Sequence, residues 1–500
     1  MSRKIVKLLL LSLLVFNSCS KEDSPVTTAI VIEESQRTPL SPTQINAKID
    51  QLNTKGNFNW RDASSHLLWS AVVNGNNVVT IGFGNSKNNF DRAATSNSAK
   101  IQSELLAIVT KHEATTLDKV LIMADADLNL MDVIIKNQET IIALRQSKFI
   151  RYVEPADYNY LSVRNAENRS GSTSSGCGYD SVTLAASDYT TTTPNAKVPW
   201  TFTQHNIPNA WNTSTGRGIT IGIIDTGVSS NQSLFGANFN NGLSSGRTIQ
   251  KNGVYIDSIW PWSTTTDGVN DLCGHGTSMA SVAAAPRNDK GMPVGVAYNA
   301  NLVTYRAASN VVLDGYQEQE AVKKAFTALA NNSSVKIISM SMGHIFSVGK
   351  IEDAIKLAYG KGKLIFCAAG TSTSFTTFVG VIFPAWMPET VAVTGVKEGS
   401  TYQACDDCHT GSKVEFTVAM QRAASGNTVP VNSYYNNQTD YVGGSSVATA
   451  TTAGIAALVW SKNPTWTREQ VLTKMRQSAS FPNRNSTYGY GNVNASLAVQ

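Results

Sequence analysis

Charge is scarce in this 500-residue chain: only 15% of its residues are Asp, Glu, Lys or Arg, and the net charge is +5. No Lys/Arg run or basic stripe accompanies that small excess, which excludes a nucleic-acid partner. Histidine and cysteine are equally sparse, at six each. No spacing among them matches a zinc site, and no Asp spacing matches an EF-type calcium loop. Beyond the N-terminus no stretch is apolar over the ~20 residues that a membrane-crossing helix needs. No internal repeat of fixed period is present. What is abundant is apolar residue, 42% of the chain. That suits a globular protein with a large core, and the length suits two or three domains.

The first residues read as an export signal. Arg3, Lys4 and Lys7 precede an apolar run from Leu8 to Phe16 that is too short to span a bilayer. Val15-Phe16-Asn17-Ser18-Cys19 resembles a bacterial lipobox, with Phe16 and Asn17 in place of the usual small or aliphatic residues. Residues 1–18 are thus expected to be a signal peptide and Cys19 the lipid-modified anchor to a membrane, placing the chain outside the cytoplasm. Export permits disulfides among Cys177, Cys273, Cys367, Cys405 and Cys408. The odd count leaves one thiol over, and Cys367, inside an apolar run, is the expected buried free one.

Composition divides the rest. Residues 19–46 are polar and proline-bearing, a linker. Residues 47–165 alternate strand-like and helix-like segments in the order strand, helix, strand, strand, helix, strand, which predicts a small ferredoxin-like α+β domain. Asn137 is the expected N-cap of its second helix. Residues 166–197 are rich in Ser, Thr, Gly and Asn and read as a second linker. Within 198–500, apolar runs at 219–224, 302–305, 336–340, 364–369 and 391–396 alternate with helical stretches. That pattern predicts an α/β fold whose parallel sheet is buried on both faces and flanked by helices.

Three segments of the last region carry chemistry. Ile223-Ile224-Asp225-Thr226-Gly227 ends a buried strand on a carboxylate, and crevices at the carboxyl ends of parallel strands are where sites form. Gly274-His275-Gly276 opens a helix of very small residues, Thr277 to Ala285. Gly443-Gly444-Ser445-Ser446 opens another, so Ser446 has free backbone N–H groups and the positive end of a helix dipole beside it. Singly, Asp225 reads as a turn cap and Ser446 as an N-cap. Jointly they supply what a weak nucleophile needs: a histidine to take the serine proton and a carboxylate to orient that histidine.

These segments, in the chain order Asp, His, Ser, resemble the signatures of the subtilisin-like serine proteases (subtilases, S8). The resemblance covers roughly residues 198–495. Ile338-Ser339-Met340-Ser341-Met342-Gly343 is similar to the family's substrate-binding strand, and Tyr488-Gly489-Tyr490-Gly491-Asn492 to its closing segment. It implies an endopeptidase acting on proteins or peptides, with Asp225, His275 and Ser446 catalytic and Ser341, Met342 and Gly343 binding substrate. Phe149-Ile150-Arg151-Tyr152-Val153-Glu154-Pro155 resembles the last strand of the family's inhibitory propeptide. That implies that residues 47–165 are the chain's own propeptide partner, removed by cleavage between about 160 and 197.

The chain departs from the family at the second oxyanion donor, where Ala368-Ala369-Gly370 is followed by Thr371 instead of Asn. Losing one such donor lowers kcat roughly 10²–10³-fold, a figure that comes from this same family. The alternative expectation is therefore a weak or inactive subtilase-fold protein that binds peptides without cutting them. Ala450 also stands in place of the proline usual after the serine. No catalytic cofactor is implied. Structural calcium could be held by Asp257, Asp267 or Asp271, although solvated loop carboxylates are the plainer reading. Cys405-Asp406-Asp407-Cys408-His409 matches a haem-attachment pattern formally, but in a polar turn a disulfide is expected instead. His66, His112, His205 and His344 are read as structural or surface residues, with His344 at a pocket edge.

Overall fold

In the computed structural model, the described residues are 38–54, 56–86, 90, 96–163, 177–371, 380–399 and 401–500. The stretch expected to be an export signal, Cys19 and residues 164–176 of the expected second linker lie outside them. Residues 35–500 form one compact unit.

The N-terminal part begins with α1 (Pro42–Asn53), which starts inside the stretch read as linker. Ser41 caps it, and Gln44 closes a capping box. Then follow α2 (Ser65–Val73), β1 (Val78–Phe83), α3 (Ser96–His112), β2 (Leu121–Asp125), β3 (Leu130–Ile134), α4 (Gln138–Gln146) and β4 (Ile150–Pro155). The sheet order is β2-β3-β1-β4, every pair antiparallel. That is the ferredoxin-like arrangement expected from the order of elements. The helix α2 carries no amphipathic signature because seven of its nine residues are buried. Asn137 sits at the N-cap of α4 but makes no side-chain cap bond. The Glu113 carboxylate holds the entry to the helix, accepting the N–H groups of Lys136 and Asn137 at 3.1 Å and the Thr140 hydroxyl.

The stretch 177–199 is more ordered than its composition suggests. Tyr189–Thr192 (β5) pairs antiparallel with Ala196–Pro199 (β6). The threonines that read as linker are β-branched and suit a strand. Cys177 is bonded to Cys273, and Cys405 to Cys408, leaving Cys367 free and buried.

The main sheet has seven parallel strands in the order β13-β12-β11-β10-β7-β9-β8. These are β7 (Thr220–Asp225), β8 (Ile249–Gly253), β9 (Asn301–Arg306), β10 (Val335–Met340), β11 (Leu364–Ala368), β12 (Val391–Lys397) and β13 (Val414–Gln421). On one face Ile221, Ile223, Ile337 and Phe366 pack against Ala280 and Ala283 of α5 (His275–Ala284) and Ala453 and Ala457 of α8 (Gly444–Lys462). On the other, Ile224, Ile338 and Ile365 pack against Phe326 and Leu329 of α6 (Tyr316–Asn331) and Ile351 and Ile355 of α7 (Gly349–Gly360). Each of the Ile, Leu and Phe side chains among these contributes about 1.5–3 kcal/mol by leaving water. Small residues on α5 and α8 bring those helices close to the sheet, which fixes where their N-termini lie. The hairpin of β14 (Val429–Asn432) and β15 (Thr439–Val442) leads directly into α8.

The two disulfides differ in the loops they close. Cys177–Cys273 spans 96 residues and Cys405–Cys408 only 3. By chain entropy the first restricts the unfolded chain by about 4–5 kcal/mol and the second by about 2 kcal/mol. The double variant Cys177→Ser/Cys273→Ser should therefore lower the guanidinium unfolding midpoint more than Cys405→Ser/Cys408→Ser. Equal losses in parallel denaturation curves would contradict that ranking.

Candidate active site

Asp225 is the last residue of β7, the strand flanked by β10 and β9. Successive connections leave from opposite sides of β7, so a crevice opens beyond its carboxyl end. His275 is the first residue of α5. Its flanking glycines are there for space: Gly274 has φ +92°, and a Cβ on Gly276 would stand 2.2 Å from the Gly227 carbonyl oxygen. Only glycine lets the helix start this close to the β7 turn.

His275 Nδ1 donates to Asp225 Oδ1 at 2.7 Å, with the two side chains 5% and 1% exposed. Asp225 Oδ1 also accepts the Thr226 N–H at 2.8 Å. Burial pulls the imidazole pKa down, but the Asp225 charge and hydrogen bond, with the nearby Asp271 charge, outweigh it and hold His275 above its ordinary value.

Asp271 was expected to be a solvated carboxylate or calcium ligand, and it is neither free nor solvated. It is fully buried and accepts the N–H groups of Cys273, Gly274 and Thr277 and the hydroxyls of Thr226 and Thr277, at 2.6–2.9 Å. It ties the β7 turn to the start of α5, and so sets His275 against Asp225. The sequence signal was an Asp three residues before the Gly274 cap. Asp267 is committed to Arg306. Among the described residues no three His, Cys, Asp or Glu side chains group to hold a metal.

Ser446 lies in the first turn of α8, and among the described residues its N–H has no acceptor. Its hydroxyl donates to the Ser341 carbonyl at 3.4 Å, and the Ser341 hydroxyl donates to the Ser446 carbonyl at 3.1 Å. Among the described residues no hydrogen bond joins Ser446 to His275. Such bonds are commonly long until substrate arrives. Both side chains line one cleft of about 430 Å³, with Ser341, Met342, Gly343 and Thr371. The same cleft includes the carboxylates Asp180, Asp407 and Asp440 and, among the described residues, no Lys or Arg.

Thr371 follows β11 and lies against the start of α8. Its Oγ1 accepts the Ser445 N–H at 3.2 Å and lies 3.2 Å from Ser445 Oγ, which itself accepts the Gly370 N–H at 3.1 Å. Ser445, which the sequence reading passed over, thus ties the Thr371 segment to the start of α8. His344 lines the cleft as expected, its Nε2 3.3 Å from Asp314. His205 lies elsewhere in the core, bonded to the Val493 carbonyl and the Ala419 N–H, its pKa lowered by burial to about 4.

The pattern of the Peptidase_S8 subtilase family matches residues 216–491, more than half of the chain. The chain belongs to the subtilase family. It is a serine-type endopeptidase, and its seven-stranded parallel sheet is the subtilisin-like fold. Among its relatives, an alkaline protease of Alkalihalobacillus alcalophilus is 29% identical over 317 residues, 63% of this chain and 73% of that protein. Subtilisin BL of Lederbergia lenta is 28% identical over 307 residues, 61% of this chain and 99% of the relative. The crystal structure of fervidolysin from Fervidobacterium pennivorans, a keratinolytic enzyme related to subtilisin, superimposes with a TM-score of 0.57. It shares 18% identity and covers 85% of this chain and 61% of its own; at that identity the likeness speaks for the fold alone.

In this subtilase, an NMR titration of His275 should give a midpoint above the ordinary ~6.5. In Asp225→Asn the opposing charge is gone and burial remains, so the midpoint should fall below that value. An unchanged midpoint would show that Asp225 does not govern the imidazole.

Proposed function

We propose that the chain is an exported, lipid-anchored subtilase zymogen in which Asp225, His275 and Ser446 hydrolyse peptide bonds of protein or peptide substrates. The observation that carries this reading is the buried 2.7 Å bond from His275 to Asp225, opening on a cleft that also holds Ser446 at a helix start. Ser446 Oγ attacks the peptide carbonyl while His275 Nε2 takes its proton, and the Asp225 carboxylate stabilises the imidazolium that results. The Ser446 N–H and the Thr371 hydroxyl receive the oxyanion. Thr371 Oγ1 accepts the Ser445 N–H, which keeps this hydroxyl beside the start of α8. His275 then protonates the leaving amine, and water releases the acyl group by the same steps in reverse. Ser341, Met342 and Gly343, beyond β10, line the substrate side of the cleft.

Residues 47–165 act in this reading as an inhibitory propeptide, 198–500 as the peptidase, and cleavage between about 160 and 197 separates them. Supporting it, Leu161 enters the cleft lining, and the Asp314 carboxylate accepts the N–H groups of Leu161 and Ser162 at 3.0–3.2 Å. Cys177, bonded to Cys273 two residues before His275, would keep the new end of the peptidase beside its cleft. Residues 1–18 would be removed on export and Cys19 lipidated, holding the precursor at the membrane or cell surface.

A fluorophosphonate should label the mature wild type and leave Ser446→Ala unlabelled. A folded wild type that takes no label would support the non-cleaving, peptide-binding alternative. Thr371→Val, which removes the hydroxyl and keeps the shape, should lower kcat by roughly 10²–10³ with little change in KM. Thr371→Asn should keep or raise kcat. An unaffected Thr371→Val would remove Thr371 from the oxyanion site.

A further inference from the structure

The N-terminal sheet rests on the start of α6 and α7, and most charges at that seam have partners. Arg151 grips Asp353 at 2.7 and 2.8 Å, and the Tyr152 hydroxyl donates to the same carboxylate. Lys350 reaches Asp132 at 2.9 Å, Lys323 reaches Asp125 at 3.0 Å, and Arg61 reaches Glu352 at 3.3 Å. Glu154 is the exception. It is 4% exposed, and its Oε2 accepts the Gly349 N–H at the start of α7 at 2.7 Å. Its Oε1 is buried and, among the described residues, has no hydrogen-bond partner. The charged groups facing it are Glu352 and Asp353 of α7 and Arg61 of the turn before α2. Arg61 is engaged by Glu352, and Arg151 by Asp353. An ionised Glu154 would therefore be a third carboxylate in a desolvated pocket, with one N–H bonded to it and an Arg61 charge already shared with Glu352.

We propose that Glu154 is a proton-operated latch between the N-terminal unit and the peptidase body, the two docking tightly while this carboxyl holds a proton and loosening when it ionises. As regulation of the cleft, the proposal rests on the reading of residues 47–165 as the propeptide. Burial, then the Glu352 and Asp353 charges, push the Glu154 carboxyl up to about 7 against the pull of Arg61 and the Gly349 N–H. Once undocked and solvated, the same carboxyl titrates near ~4.3. Docking thus takes up a proton. It is strongest below the undocked value, weakens as pH rises between the two, and levels off above about 7. Between pH 5 and 7.5 the loss amounts to roughly 50-fold. Burial raises Asp157 and Asp353 in the same direction, so Glu154 provides the largest part of the dependence and not all of it.

The test uses the full chain carrying Ser446→Ala, which holds the two parts on one uncleaved polypeptide. Hydrogen exchange of Gly349 and the β4 amides, corrected for intrinsic rates, should show protection falling roughly 50-fold from pH 5 to pH 7.5. Adding Glu154→Gln, neutral at every pH, should remove most of that fall. Adding Glu352→Gln instead should shrink it partly, by lowering the Glu154 midpoint. Protection that is flat with pH in the parent, or a fall that persists in Glu154→Gln, would overturn the latch. Failure of the propeptide reading would show separately, as wild-type chain that stays uncut at every pH while the Ser446→Ala chain still loosens.

Discussion

One buried hydrogen bond, from His275 Nδ1 to Asp225 Oδ1, sets the demands that the rest of the molecule meets. Taking a carboxylate and an imidazole out of water costs several kcal/mol unless each is well paired. The chain meets that cost with partners rather than exposure. The Thr226 N–H shares Asp225 Oδ1, and Asp271 gathers the backbone N–H groups that would otherwise be orphaned where α5 begins. Gly274 and Gly276 let helix and turn approach closely enough for the bond to form, and the small residues of α5 and α8 bring both helix starts down onto the sheet. In the proposed mechanism this rigidity is what lets a single side-chain movement of Ser446, now turned to the Ser341 carbonyl, begin the reaction.

The seam with the N-terminal unit is built differently. Its apolar contribution centres on Phe346, a peptidase residue that inserts among Phe58, Trp60 and Tyr160 in edge-to-face contacts at 5.4–6.1 Å. Around it lie ion pairs whose desolvation offsets much of their attraction. A contact made this way is specific without being irreversible, which suits the propeptide role proposed for residues 47–165.

Much of this was legible in the sequence because it follows local rules. Continuous apolar runs marked β7, β9, β10, β11 and β12, and glycine beside His275 and before Ser446 marked helix starts with unusual neighbours. The edge strands β8 and β13 were not legible. The first reads Ile-Gln-Lys-Asn-Gly, too polar for a buried strand, and the second alternates apolar and polar residues. The helix α2 lacked a polar face, and the β5 threonines looked like linker because composition says nothing about pairing partners. At the site, Asp225, His275, Ser446 and Thr371 were named from motifs; His275, Ser446 and Thr371 line one cleft, and Asp225 is bonded to His275. Asp271 and Ser445 were not given their roles, since what each does depends on groups brought near by folding: the β7 turn for Asp271, the Gly370-Thr371 segment for Ser445. Glu154 was noted only as part of a strand, because its burial depends on a helix almost 200 residues later.

The central claim is that Asp225 acts on Ser446 only through His275. Its most direct test is the kcat of Asp225→Asn on a peptide substrate, measured on protein shown to be folded. The account predicts a fall of roughly 10⁴-fold with KM little changed, because the amide leaves the imidazole in the wrong tautomer. A variant that retained wild-type kcat would contradict it.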